Sequence, residues 1–220
     1  MKIRYFGHAC FAFNDKEVNV LIDPFISGNP LLSPGSFDII PDLILVSHDH
    51  PDHIGDTISL ARRTNCSVLC VYDLGAELAR SGLSVIGGNI GGTMDYKHLK
   101  ITYVKAEHTS KVGVPVGYVI KFSDHVIYFA GDTAIMADMK LIKELYHPDI
   151  VMLPIDGYYN MGPYEASHAV RLLEPKIVIP MHYGTFPLLK GTPDELIQEI
   201  KKQNLDVKVI VFNINEQKEI

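Results

Sequence analysis

Apolar positions in this chain come in short runs with two rhythms. Near the start, KIRYF, CFAFN and VNVLID are rich in β-branched and aromatic residues, with a turn at Asn14-Asp15-Lys16 between the last two. Such runs, cut by turn residues, predict a β-meander ending near Asp23. The stretch PFISGNPLLSPGSF is dense in Pro, Gly and Ser and reads as a loop. LILVS then reads as a buried strand, followed by a helix over DHIGDTISLARR, a strand SVLCVY and a helix around LGAELARSG. The middle of the chain returns to β with GGTMDY, LKITYVKA, VGYVIKF and HVIYFAG. The remainder alternates: helix near Met139–Tyr146, strand DIVMLP, helix near Pro163–Leu173, strand KIVIPM, helix near Pro193–Lys202, strand VKVIVF.

The pattern repeats. FNDKEVNVLID ends at Asp23 and FSDHVIYFAGD ends at Asp132, 109 residues apart. PDLILVS begins at Pro41 and PDIVMLP at Pro148, 107 apart; SVLCVY and KIVIPM begin at Ser67 and Lys176, again 109 apart. Three segments in one order at nearly one offset predict two halves of like topology, each a meander followed by β-α-β. Two mixed sheets packed face to face, with helices on both outer faces, make one internally duplicated four-layer αββα sandwich. No linker-like stretch divides residues 1–220, so a single α/β domain is expected.

Composition narrows the partners. The 220 residues are 47% hydrophobic, enough for a sizeable core, and the net charge is −6 with no Lys/Arg-rich run. A nucleic-acid partner, which needs a basic face, is therefore not expected. Cys10, Cys66 and Cys70 make no disulfide framework: four residues of strand separate the last two by about 13 Å. The start of the chain lacks a signal peptide's apolar block, and no apolar stretch nears the roughly 20 residues that span a bilayer. A reducing cytoplasm is the expected location. Exposed apolar loops such as PLLSPGSF leave homo-oligomers open.

The chemistry is concentrated at LVSHDHPDHIGD, where three His and three Asp fall between His48 and Asp56, directly after a buried strand. The spacing His48-x-His50-x-Asp52-His53 offers imidazoles and a carboxylate suited to zinc, iron or manganese. One segment cannot complete two metal sites, since each metal takes three or four protein ligands. His108, Asp132 and His182 each end another β-like run and are the candidates to finish the set.

The ordered motifs HDHPDH, AEHT, AGDT and PMHY, with Asp23 in LIDPF, resemble the metallo-β-lactamase superfamily over Asp23 to His182. Within it, the opening YFGHACF and the stretches PIDGYYNMGPYEA and PMHYGTFP resemble small, short-chain metal-dependent hydrolases, with ascorbate-6-phosphate lactonases as more distant relatives. The resemblance implies a duplicated αββα fold and two divalent ions, with zinc the first choice and manganese, iron or nickel accepted by the same ligands. It assigns His48, His50 and His108 to one ion, Asp52, His53 and His182 to the other, and Asp132 as the bridge. Asp23 would orient the site through hydrogen bonds.

The implied reaction is attack of a metal-bound hydroxide on a small ester, lactone or phosphoester, with Asp52 or Asp132 taking the proton. Two other readings use the same fold: a nucleic-acid phosphodiesterase, disfavoured by acidity and the lack of spare length for a clamp, and an iron-dependent redox protein, disfavoured by the intact His50. His8, at the tip of the first hairpin, is either a substrate or metal-supporting contact or a turn histidine bonded to backbone. Asp156, Tyr158, Tyr159, Asn160 and Met161 align with the metal loop of the first half and are candidates for a pocket wall. Tyr183 and Thr133 come directly after candidate ligands and are candidate oxyanion donors. His98, His125, His147 and His168 lack partners at ligand spacing and are read as structural.

Overall fold

The computed structural model describes residues 1–16 and 18–220. In chain order the elements are β1 (Lys2–Gly7), β2 (Cys10–Asp15), β3 (Val18–Ile22), β4 (Leu43–Leu45), α1 (Pro51–Ile54), α2 (Thr57–Thr64), β5 (Ser67–Val71), α3 (Tyr72–Arg80) and β6 (Val85–Gly88). There follow β7 (Thr93–Tyr96), β8 (Leu99–Lys105), β9 (Val116–Lys121), β10 (Val126–Phe129), α4 (Asp138–Tyr146) and β11 (Ile150–Pro154). The chain closes with α5 (Pro163–Leu173), β12 (Ile177–Met181), α6 (Pro193–Lys202), β13 (Lys208–Val209) and β14 (Gln217–Glu219). Two compact units result: Met1–Gly92 with Thr109–Pro115 and Phe212–Ile220, and Thr93–His108 with Val116–Val211.

Each unit holds one seven-stranded mixed sheet, in the orders β14-β1-β2-β3-β4-β5-β6 and β13-β12-β11-β10-β9-β8-β7. In the first, β1, β2 and β3 form an antiparallel meander, and β3, β4, β5 and β6 run parallel. In the second, β8, β9 and β10 are the meander, and β10 to β13 run parallel. The two sheets share one topology, as the repeated segments predict. Parallel strands need crossovers, and α2, α3, α5 and α6 lie in those crossovers. The uniformly apolar IVMLP and SVLCV runs are buried nearly throughout because these strands are covered on both faces.

In the second unit, Val104, Val119, Tyr128, Val151, Leu153 and Val178 on one sheet face pack with Met139, Ile142, Ala166, Val170, Leu173 and Leu196 from α4, α5 and α6. Residues of alternate register, among them Tyr103, Tyr118, Phe129, Met152 and Ile179, are also fully buried, so the sheet's other face is covered too. Thr192 and Glu195 cap α6 reciprocally: the Glu195 amide donates to the Thr192 hydroxyl at 3.3 Å, and the Thr192 amide donates to Glu195 at 2.9 Å.

The helix expected over DHIGDTISLARR is broken in two at Gly55-Asp56. Gly55 sits at φ 40, and a β-carbon there would lie 2.3 Å from the Pro24 carbonyl oxygen. The Asp56 amide donates to that same carbonyl at 2.9 Å. Asp56 also accepts from the amides of Ile26 and Ser27, so the loop after β3 is stitched into the break. The strand expected over VKVIVF shrinks to Lys208–Val209, while β6 and β14, which carry little apolar signal, pair at sheet edges.

Candidate metal centre

Strand direction decides where the candidate ligands stand. In the first unit β1, β3 and β4 point the same way, so His8 after β1, Asp23 after β3 and the 47–53 turn after β4 share one sheet edge. In the second unit β8, β10, β11 and β12 point the same way, so His108, Asp132, Asp156 and His182 share one edge as well. The carboxyl ends of strands are where loops are free to build a site.

In the first unit a buried hub fixes two imidazoles. Asp23 is 0% exposed, and it accepts from the Ser47 amide at 2.8 Å, the Ser47 hydroxyl at 2.6 Å and His53 Nδ1 at 2.7 Å. Its carboxylate only accepts, so the single hydroxyl proton of Ser47 points to Asp23. The Ser47 oxygen, 3.0 Å from His48 Nδ1, must then accept from that ring. Both His48 and His53 thus carry their proton on Nδ1 and present Nε2 with a lone pair, the tautomer a metal ligand needs. Neither Ser47 nor its role is visible in the spacing of the motif; only its place, a short hydroxyl between a buried strand and a ligand, hints at it.

His48 Nε2 lies 2.9 Å from His50 Nδ1. Two ligands of a tetrahedral ion with bonds of about 2.0–2.1 Å stand roughly 3.3 Å apart, so the convergence is close to ligand spacing. Asp52 Oδ2 lies 3.1 Å from His8 Nε2, and His8 is fully buried in a left-handed conformation at φ 59. Burial acts to raise the Asp52 carboxyl, but the hydrogen bond to His8, with His53 close by, outweighs it and holds it well below the usual range. The His8 ring thus engages a candidate ligand through Nε2.

The second unit is built alike. The Glu107 amide donates to Thr133 Oγ1 at 2.9 Å and the Ala134 amide to the Glu107 carbonyl at 3.1 Å, lacing the loops after β8 and β10 together. Asp132 Oδ2 consequently lies 3.5 Å from His108 Nε2 and 3.1 Å from His182 Nε2. His182 Nδ1 is 3.1 Å from Asp156 Oδ2. Asp156, also 0% exposed, accepts from the amides of Tyr158, Tyr159 and Asn160. Burial acts to raise the Asp156 carboxyl, but His182 and these amides pull it below its ordinary value. A buried carboxylate thus stands behind one candidate ligand in each unit: Asp23 behind His53, Asp156 behind His182. The donor chemistry, imidazole Nε2 with carboxylate oxygens and a carboxylate behind the ring, fits a divalent metal.

A profile of the Beta-lactamase superfamily domain matches residues 2–182. The chain belongs to that superfamily. A UPF0173 metal-dependent hydrolase of Methanopyrus kandleri is 42% identical over 229 aligned residues, covering 100% of both chains. Another of that name, from Methanosarcina barkeri, is 40% identical and covers 98% of this chain and 97% of its own. Among solved structures, Igni18, described as a novel metallo hydrolase from Ignicoccus hospitalis, superposes with a TM-score of 0.92 at 36% identity, covering 100% of this chain and 98% of that one. The superfamily resemblance and its α/β fold of two mixed sheets are borne out.

Several residues read as pocket features have other engagements. Thr133 spends its hydroxyl on backbone, accepting from Glu107 and donating to the Ala134 carbonyl at 2.8 Å. The Tyr183 ring packs on the apolar core of the second unit, and burial pushes its hydroxyl up to about 12. Met161 is buried in that same core. Tyr158 and Tyr159 are exposed, with ring centroids 4.8 Å apart. All three cysteines are free and buried, and His125 pairs with Asp149 at 2.7 Å.

Proposed function

We propose that this chain, a metal-dependent hydrolase of the β-lactamase superfamily, cleaves a small ester, lactone or phosphoester in the cytoplasm, as a single hydrolase domain of residues 1–220 that uses two divalent ions. The carrying observation is the carboxylate behind a ligand histidine in each unit: His53 Nδ1 at 2.7 Å from Asp23 and His182 Nδ1 at 3.1 Å from Asp156. Such pairs fix ring orientation and raise ligand basicity, and here each stands behind an imidazole whose Nε2 is turned toward other candidate ligands, unlike the isolated His125–Asp149 pair.

We assign His48, His50 and His108 to one ion, Asp52, His53 and His182 to the other, and Asp132 between them. Zinc suits this histidine-rich set best. When bound, the pair supplies an activated water and a Lewis acid for the scissile bond. The chain's own part is orientation and proton handling. Ser47 and Asp23 keep the Nδ1 protons of His48 and His53 in place. His8 engages Asp52 at Oδ2 and so fixes the orientation of that carboxylate. Asp52 and Asp132 are the carboxylates to which we assign proton transfer. The net charge of −6 supports a small-molecule substrate over a nucleic acid, and among the described residues no helix is long and apolar enough to cross a membrane.

Elemental analysis of protein purified without chelator, beside a His182→Ala variant, tests the reading. About two equivalents per chain, falling toward one in the variant, with chelator-sensitive hydrolysis of generic esters, lactones or phosphodiesters, is the expected result. Wild-type protein that holds no metal and gains none from added zinc or manganese overturns it.

A further inference from the structure

The first unit contains a segment that the metal motif alone does not account for. One residue after His108 the chain enters Thr109–Pro115, which belongs to the first unit although both flanks belong to the second. Asp49, between His48 and His50, holds this strap. Its Oδ1 accepts from the Ser110 hydroxyl at 2.8 Å and the Lys111 amide at 2.9 Å, and its Oδ2 accepts from the Val112 amide at 3.0 Å. One carboxylate thus takes three donors from three consecutive residues, which fixes its plane as well as its position. A second attachment lies at Gly113, in the left-handed region at φ 73, where a β-carbon would come 2.8 Å from Val71 Cγ1. Only glycine lets the strap lie that close to the end of β5.

We propose that Asp49 is a positioning residue that locks the ligand-bearing 48–53 turn to the 109–115 strap, so that the imidazoles of His48 and His50 are oriented by the strap's hydrogen bonds. The Asp49 oxygens are taken by strap donors, so it is not itself offered as a ligand. A strap anchored this way limits rotation of the Asp49 backbone, and His48 and His50 are its direct chain neighbours. Their convergence at 2.9 Å is the geometry that such an anchor preserves. This inference rests on the metal-dependent reading above.

The test uses Asp49→Ala, Ser110→Ala and the double variant in the full chain. Two readouts are followed: zinc affinity by competition with a chromophoric chelator, and the rate of tryptic cleavage after Lys111, which is exposed. Asp49→Ala is expected to weaken zinc binding about tenfold or more, the scale seen when groups supporting a ligand are removed. It should also speed cleavage after Lys111 severalfold. Ser110→Ala removes one donor and leaves the ligand turn untouched, so it should move both readouts the same way by less. The double variant should match Asp49→Ala, because both substitutions break the same contact.

Faster cleavage with unchanged zinc affinity in both single variants overturns the proposal, leaving Asp49 as a loop anchor only. Full additivity in the double variant overturns it as well. If Asp49→Ala does not fold, Ser110→Ala decides alone: unchanged zinc affinity refutes. Wild-type protein that binds no zinc refutes the metal reading itself, and the two failures are distinguished because the cleavage comparison still reports on the strap.

Discussion

Replacing Asp23 with alanine tests the buried hub beneath the candidate ligands. The carboxylate is 0% exposed and accepts three hydrogen bonds of 2.6 to 2.8 Å, two from Ser47 and one from His53. Each bond to a charged group contributes about 1.5–3 kcal/mol, but the three share one acceptor and do not add. Removing the carboxylate leaves three buried donors without their acceptor, each costing about 1–3 kcal/mol, so with incomplete additivity the loss is on the order of 3–5 kcal/mol. For a chain of this size each kcal/mol moves the thermal midpoint by about 2–4 °C, so Asp23→Ala should lower it by on the order of 10 °C. The measurement is thermal unfolding in excess chelator, which removes any contribution of bound metal.

Asp23→Asn separates stability from ligand chemistry. It keeps the shape and one acceptor, yet its amide NH2 can be directed at His53 Nδ1. That ring must then accept at Nδ1 and carry its proton on Nε2, the atom meant for metal. Asn is therefore expected to lose less stability than Ala while still losing about 10–100-fold in zinc affinity. An Asp23→Ala variant that loses less than about 1 kcal/mol refutes the hub's energetic role. An Asp23→Asn variant that binds zinc like the wild type refutes the tautomer argument.

Three further outcomes are expected from the same geometry. His8→Ala takes the partner from Asp52 Oδ2 and should weaken zinc binding about tenfold, with calorimetric titration as the check and an unchanged binding isotherm as the refutation. Gly55→Ala must either push a β-carbon off the Pro24 carbonyl or open the loop after β3, and a loss exceeding about 1 kcal/mol in a denaturant midpoint is expected; a neutral result means the contact is not formed in solution. Burial raises the Cys10 thiol well above its ordinary value and pushes Cys70 up to about 12. Below about pH 8.5 both states keep these protons and stability is full; above it the unfolded chain ionises first, so stability falls by up to about 1.4 kcal/mol per pH unit for each thiol. Denaturant midpoints measured across that alkaline range should decline, and less steeply in Cys70→Ala; a flat profile refutes the burial argument.

The sequence announces its strands where burial is uniform and hides them where pairing alone makes them. LILV and IVMLP are legible because strands covered on both faces carry unbroken apolar runs. Edge strands β6, β13 and β14 are short and half-exposed, so their order comes from a neighbour's backbone and not from their own side chains. The break at Gly55-Asp56 is illegible for a related reason. Its cause is a carbonyl and two amides from residues 24–27, about 30 positions away in the chain, and only a lone glycine marks it. The candidate ligands were legible because metal binding demands particular side chains at particular spacings. Ser47 and Asp49 were not, since a hydroxyl or a carboxylate can cap, solvate or support, and only partners distant in sequence select among those uses.

The duplication makes these supporting roles intelligible. With the meander of one sheet matched to that of the other, β1 corresponds to β8, β3 to β10, and β4 to β11. The strand ends then correspond: His8 with His108, Asp23 with Asp132, and the 47–53 turn with the loop that starts at Ile155. Corresponding positions hold the same residue types but different duties. Asp23 is sealed at 0% exposure beneath His53, whereas Asp132 stands 3.1 Å from a ring nitrogen of His182 that points to the site. One copy of an aspartate at a strand end became a hydrogen-bonding support and the other a ligand candidate. The difference lies at the carboxyl end of the neighbouring strand, β4 or β11. Ser47 donates two bonds into Asp23, one from its amide and one from its hydroxyl, while Pro154, its counterpart at the 107-residue offset, carries neither an amide hydrogen nor a hydroxyl to donate.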